Sequence, residues 1–189
     1  MKAYSGFKAQ KASGGFPELP VGGYVCKIMK AEIVDGSYGE QLALSYDVVE
    51  GEHKDFWKNA WTADTRDDKK WGGVCYISVP DESKEAWTRK AFENLIYAVE
   101  ESNPGYHWDW NETGLKDKLV GIVVGEKERL SKDGTQVYTN TVARNTESVD
   151  DIRKGNFKIP KKKEVSKSSA ATAGFTEITG ENASDVLPF

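Results

Sequence analysis

This chain is poor in the residues that build most catalytic and metal centres. Its 189 residues include two cysteines, Cys26 and Cys75, and two histidines, His53 and His107. No Cys-x-x-Cys pair occurs, and no His lies near either cysteine in sequence. A zinc site needs three or four closely placed ligands, so none is expected, nor any other cofactor. The cysteines read as small buried hydrophobes in a reducing compartment, and a Cys/His nucleophile pair finds no local support. A phosphate-binding Gly-x-x-x-x-Gly-Lys-Ser/Thr loop, a Gly-x-Ser-x-Gly elbow and a dinucleotide fingerprint are all missing. No apolar run approaches the roughly 20 residues that span a bilayer, and residues 1–6 lack the apolar core of a signal peptide. The expectation is therefore a cytoplasmic protein with no membrane partner. Neither sign of charge dominates: 26 Lys+Arg face 30 Asp+Glu, for a net charge of −4. Taken whole, that balance speaks against a strongly basic nucleic-acid binder.

What is present suits one domain with an appendage. Hydrophobic residues make up 38% and charged residues 30%. A chain of this length buries roughly 70% of its unfolded surface and needs no metal or disulfide to fold. Residues 1–20 are polar and punctuated by Gly and Pro, and read as an N-terminal arm. From Gly23 to Val34 the apolar period is near two, residues 35–39 form a Gly-rich turn, and Leu42, Leu44, Tyr46 and Val48 alternate with smaller or polar residues. This predicts a hairpin. Residues 55–79 read as one interrupted strand region or two short strands. From Ser83 to Ser102 the period changes: Trp87, Ala91, Leu95 and Val99 recur every four residues, with Phe92 and Ile96 beside them. This predicts a helix, ended by Asn103-Pro104-Gly105. A second hairpin is predicted around Lys132-Asp133-Gly134, with strands over 119–130 and 137–144, then a short helix over 148–154. From 161 to 189 the chain reads as a disordered linker and tip, too poor in large apolar groups to offset the cost of ordering. The expected fold is mainly β: a five-stranded oligonucleotide/oligosaccharide-binding (OB)-like barrel over 21–160, with one helix between strands 3 and 4. An unrelated α+β sandwich fits the same string.

The aromatic residues carry most of the functional signal. There are six Trp, eight Tyr and seven Phe. Were 55–63 extended, Trp57 and Trp61 would share a face, with Lys54, Lys58, Arg66, Lys69 and Lys70 around them and Trp71 following. Tyr76 points opposite to Cys75, Ile77 and Val79 on its strand. The second hairpin adds Lys127, Arg129, Lys132, Tyr138 and Arg144. Rings interleaved with Lys and Arg are what sequence-tolerant binding of a single strand needs, because every base has a face to stack and every phosphate needs a cation. The run Asp81-Glu82-Ser83-Lys84 invites comparison with a divalent-metal nuclease. Its groups all lie at one strand-to-helix junction, where Asp81 or Ser83 serves better as a helix cap.

The end of the chain changes the meaning of the charge. The last 22 residues hold Glu177, Glu181 and Asp185 and no base, so the tail carries −3 and the rest of the chain −1. A near-neutral body is compatible with a local basic groove. The chain closes with Asp185, Val186, Leu187, Pro188 and Phe189, a tip whose ring and carboxylates a basic, apolar pocket can capture. With this tip, linker and β-rich aromatic body, the sequence resembles bacterial and phage single-stranded DNA-binding proteins. It is more similar to the divergent phage-encoded binders than to the bacterial homotetramer domain, and its tip carries one adjacent acid where the family has several. The resemblance implies a non-catalytic OB domain that holds single-stranded DNA during phage replication and recombination in a bacterial host. It also implies a tip that recruits replication and recombination proteins, with a monomer or dimer favoured over a tetramer. A carbohydrate-binding module is the second reading, and a metal-dependent nuclease the third.

Overall fold

The computed structural model describes residues 17–36, 39–81 and 86–165. Its centre is one long strand, β1 (Gly22–Gly36), flanked on one side by β2 (Gly39–Val48) and on the other by β4 (Leu119–Leu130). The strand serves both because it divides its length: Gly22 to Lys27 pair with β4, and Cys26 to Gly36 pair with β2. A register shift between Ile28 and Lys30 bends it between those tasks. Strand β3 (Val74–Ser78) pairs with β2, and β5 (Val137–Glu147) pairs with β4. The result is one antiparallel sheet in the order β3-β2-β1-β4-β5. Strands β3 and β5 touch, but no ladder joins them, so the sheet is not closed.

The helices are α1 (Phe56–Ala63), α2 (Ala86–Ser102) and α3 (Val149–Lys154), with a 3-10 turn at Glu112–Leu115. Helix α2 lies between β3 and β4 in sequence, as the four-residue period required. Its buried face is Phe92, Leu95, Ala98 and Val99, whereas Ala91 is exposed, so the stripe is rotated from the expected one. The side chain of Trp87 lies outside the described residues. The core fills the space between α2 and the sheet, with Cys26, Ile28, Leu42, Leu44, Tyr46, Val120 and Ile122 facing it. A second cluster lies where α3 covers Val25 of β1 and Val123 of β4 through Val149 and Ile152. That approach needs Gly121, because a Cβ there would collide with Ile152 and with the Glu147 carbonyl.

Helix α1 corrects the expectation of an extended 55–63. It lacks a cap of its own, since the Asp55 side chain makes no capping hydrogen bond. Instead Asp47, on β2 and 4% exposed, accepts from the backbone N–H groups of Trp57 (2.9 Å) and Lys58 (3.1 Å). Free N–H groups and the positive end of the helix dipole are thereby satisfied from another element.

Both ends of the described chain are tied to the sheet. Leu19 is in the core, and Glu18 accepts from the Thr141 backbone N–H (3.0 Å) on the open edge of β5. At the other end Lys163 forms a parallel bridge with Lys127, and Glu128 N–H donates to the Lys163 carbonyl (2.8 Å). Residues 161–165, the start of the expected linker, thus lie along β4. Burial pushes the Cys75 thiol up to about 12 and that of Cys26 well above its ordinary value, so both stay protonated at neutral pH. Among the described residues no helix is long and apolar enough to cross a membrane.

Candidate nucleic-acid interface

The structure distributes the expected site residues over three places. The first is the segment from α1 to β3. Trp57 and Trp61 lie four apart on α1, not on one face of a strand. Trp57 is half-buried, packed against the core beside Phe56 (ring centres 4.9 Å apart) and the backbone of Gly72 and Gly73. Trp61 is 37% exposed, with its ring 6.2 Å from that of Trp71. Trp71 is half-buried, and its indole N–H donates to the Tyr46 carbonyl (3.0 Å). Lys69 Nζ lies 4.8 Å from the Trp61 ring and reaches the carbonyls of Trp61 and Asp64 (3.3 Å each). Arg66 is held by Asp64 through Nε (2.9 Å) and Nη2 (2.6 Å). The Arg66 guanidinium in turn holds the Asp64 carboxyl down at about 2. Lys54, Lys58 and Lys70 are exposed around this segment.

The second place is the β4–β5 hairpin. Arg129 is paired across the strands with Tyr138, and Lys127 with Asn140. Residues two apart on a strand and directly opposed residues project to one face, so these four share it. Arg129 lies 5.9 Å from the centre of the Tyr138 ring, steadied by its Nε bond to Asn140 Oδ1 (2.8 Å), and Tyr138 is 46% exposed. The parallel bridge adds Lys163 beside Lys127 on the same face, and Lys161 two residues before it. Glu126 and Glu128 alternate to the opposite face. There Glu128 pairs with Lys162 (2.6 Å), whose ammonium lowers the carboxyl below its usual range. Among the described residues no acid pairs with Lys127, Lys132 or Lys163.

The third place is the seam between the two edge strands. Tyr76, 61% exposed on β3, and Arg144 on β5 line one small cavity there. Arg144 Nη1 donates to the Glu126 carbonyl (2.8 Å), which draws the guanidinium toward the hairpin. The outward direction of Tyr76 agrees with the alternation read from its strand.

Sequence reasoning passed over several residues in these places. Lys161 and Lys163 fall in the expected linker, although alternate members of Lys161-Lys162-Lys163 share a face when that run is extended. Asn94 on α2 and Asn145 on β5 carry no sequence signal at all. Trp110 is 72% exposed at φ 64, stacked on Phe92 with ring centres 6.1 Å apart, but its sequence neighbours are Asp109 and Asn111, not bases. The Asp185–Phe189 tip lies outside the described residues, as do Glu82, Ser83 and Lys84 of the nuclease-like run. Among the described residues no three His, Cys, Asp or Glu side chains gather as a metal ion would require. No protein-family model matches this chain, and comparison with curated proteins finds no match.

Proposed function

We propose that this chain is a non-catalytic single-stranded DNA-binding protein. The observation that carries the reading is the sorted face of the β4–β5 hairpin: Lys127, Arg129, Tyr138 and Lys163 on one side, Glu126 and Glu128 on the other. Such a surface offers phosphate-sized positive sites beside an exposed ring, which is what an unpaired strand presents for capture. The strand order supports the same reading. An antiparallel sheet ordered β3-β2-β1-β4-β5, with a helix between β3 and β4, has the strand order expected of an OB barrel opened between its third and fifth strands. OB folds are partly open, and they bind oligonucleotides on the face of strands 2 and 3 and the loops after strands 1 and 4. In this chain that face carries Tyr76, and the loop after strand 4 carries Lys132. The Asp185–Phe189 tip recruits replication and recombination proteins, on the strength of its sequence.

A titration of Trp fluorescence with oligo-dT tests the reading. Binding quenches the signal and weakens steeply as salt rises, because each phosphate contact releases counterions. A chain truncated after Ser184 binds DNA as well or better and no longer captures partners. Unchanged fluorescence at low salt overturns the proposal. Trp110, exposed and flanked in sequence by Asp109 and Asn111, favours a sugar-binding surface as the second reading. Quenching by soluble glucans but not by oligo-dT would decide for that one.

A further inference from the structure

The seam between β3 and β5 holds a half-open cavity of about 110 Å³ beside α2. Drug-sized ligands occupy roughly 300 Å³ or more, so this space takes a single small ring and excludes a peptide or an oligosaccharide. Its apolar lining includes Ile77 and Ala143, and its polar groups are Asn94, Asn145, Thr146, Tyr76 and Arg144. The amide of Asn94 is fixed: its Nδ2 donates to the Thr146 carbonyl (2.5 Å) and Thr146 Oγ1 (3.1 Å). A carbonyl can only accept, so the amide orientation is settled and Asn94 Oδ1 remains as an acceptor. The side chains of Asn145 and Tyr76 make no hydrogen bond to any described residue, so a donor, an acceptor and a ring face are available. Arg144 has Nη1 engaged with the Glu126 carbonyl and keeps its other N–H groups.

We propose that this seam pocket captures one unpaired nucleobase by its Watson–Crick edge, so the inference rests on the single-strand reading above and adds the element that recognises the base. The base enters the seam edge-on, past Tyr76 at its mouth and between Ile77 and Ala143. A thymine donates its N3–H to Asn94 Oδ1 and accepts from Asn145 Nδ2. The nucleotide's phosphate is left near Arg144. In a duplex that edge is already paired, so the pocket admits single strands alone.

The test compares oligo-dT with an abasic oligomer of the same length, which keeps the phosphates and lacks the bases. The full chain binds oligo-dT more tightly. Asn145→Ala lowers affinity for oligo-dT about tenfold, the loss of one good base-edge contact, and leaves the abasic oligomer unaffected. Ala91→Leu, which fills the cavity from the exposed side of α2, produces the same selective loss. Lys127→Ala lowers both affinities alike. If Asn145→Ala and Ala91→Leu change neither affinity, or both equally, the pocket does not read bases, and binding through phosphates stands. If the unaltered chain binds neither oligomer, the single-strand reading itself fails.

Discussion

The α1-to-β3 segment and the β4–β5 hairpin contain the same kinds of side chains and use them in opposite ways. In the first, several groups that look like a site from sequence are occupied inside the protein. Arg66 is clasped by Asp64, Lys69 by two carbonyls, Trp71 by the Tyr46 carbonyl, and Trp57 is packed half-buried against the core. In the second, strand alternation sends Glu126 and Glu128 to the opposite face, Glu18 is held on Asn140, and Lys127 and Lys163 are left without acid partners among the described residues. A cation already hydrogen-bonded within the fold must give up that bond before it can hold a phosphate. A free lysine gives up only water. Basic composition therefore misleads where the chain folds back on itself, and informs where it runs as a regular strand.

The comparison breaks most visibly at Asp47. Removing it takes the cap from α1 and leaves buried N–H groups unsatisfied, at a cost of about 3 kcal/mol. Asp47→Ala should lower the urea midpoint accordingly and loosen the Trp61–Trp71 contact, while the β4–β5 hairpin keeps its hydrogen-exchange protection. A loss below about 1 kcal/mol would mean that α1 is held by packing alone. A smaller effect is expected on binding. The double variant Lys127→Ala with Lys163→Ala should weaken oligo-dT binding and reduce the slope of log affinity against log salt by about 1.4, at roughly 0.7 per contact. Arg66→Ala should leave that slope unchanged, because its charge is spent on Asp64. Equal slopes for both variants would erase the distinction between the two regions.

The smallest effect concerns acid. Asp64 is held at about 2 chiefly by Arg66, and Asp133 at about 2 chiefly by the Ser131 hydroxyl in the hairpin turn. An unfolded Asp titrates near 3.9, so the unfolded chain takes up these protons first as pH falls. The stability these carboxylates contribute is complete above about pH 4 and is lost as pH drops toward 2. Melting temperatures should decline across that window, and Asp64→Asn should make the decline shallower. A melting temperature unchanged from pH 5 to pH 2 would contradict both ion assignments.

The β1–β2 and β4–β5 hairpins, α2 and α3 were all legible in the sequence, because period-two and period-four patterns are local. Helix α1 was not. Trp57 and Trp61 satisfy a four-residue spacing as well as an alternating one, and the choice is made by Asp47, which arrives from β2. The rotation of α2 was missed for a similar reason. Ala91 and Ala98 are both small and apolar, and only the sheet beneath decides which is covered. In the candidate site, Tyr76, Lys127, Arg129 and Tyr138 were readable from strand parity. Lys163, Asn94 and Asn145 were not, since each owes its place to a neighbour far away in the chain.

The two hairpins, the helices α2 and α3, the near-neutral body and the acidic tail follow from the amino-acid sequence by itself, since periodicity and composition need no partner. The open seam with its small cavity, the capping of α1 and the division of cations into spent and free were decided only in the tertiary structure. Hydrogen bonds act over about 3 Å, and a distance that short between residues far apart in the chain exists only after folding.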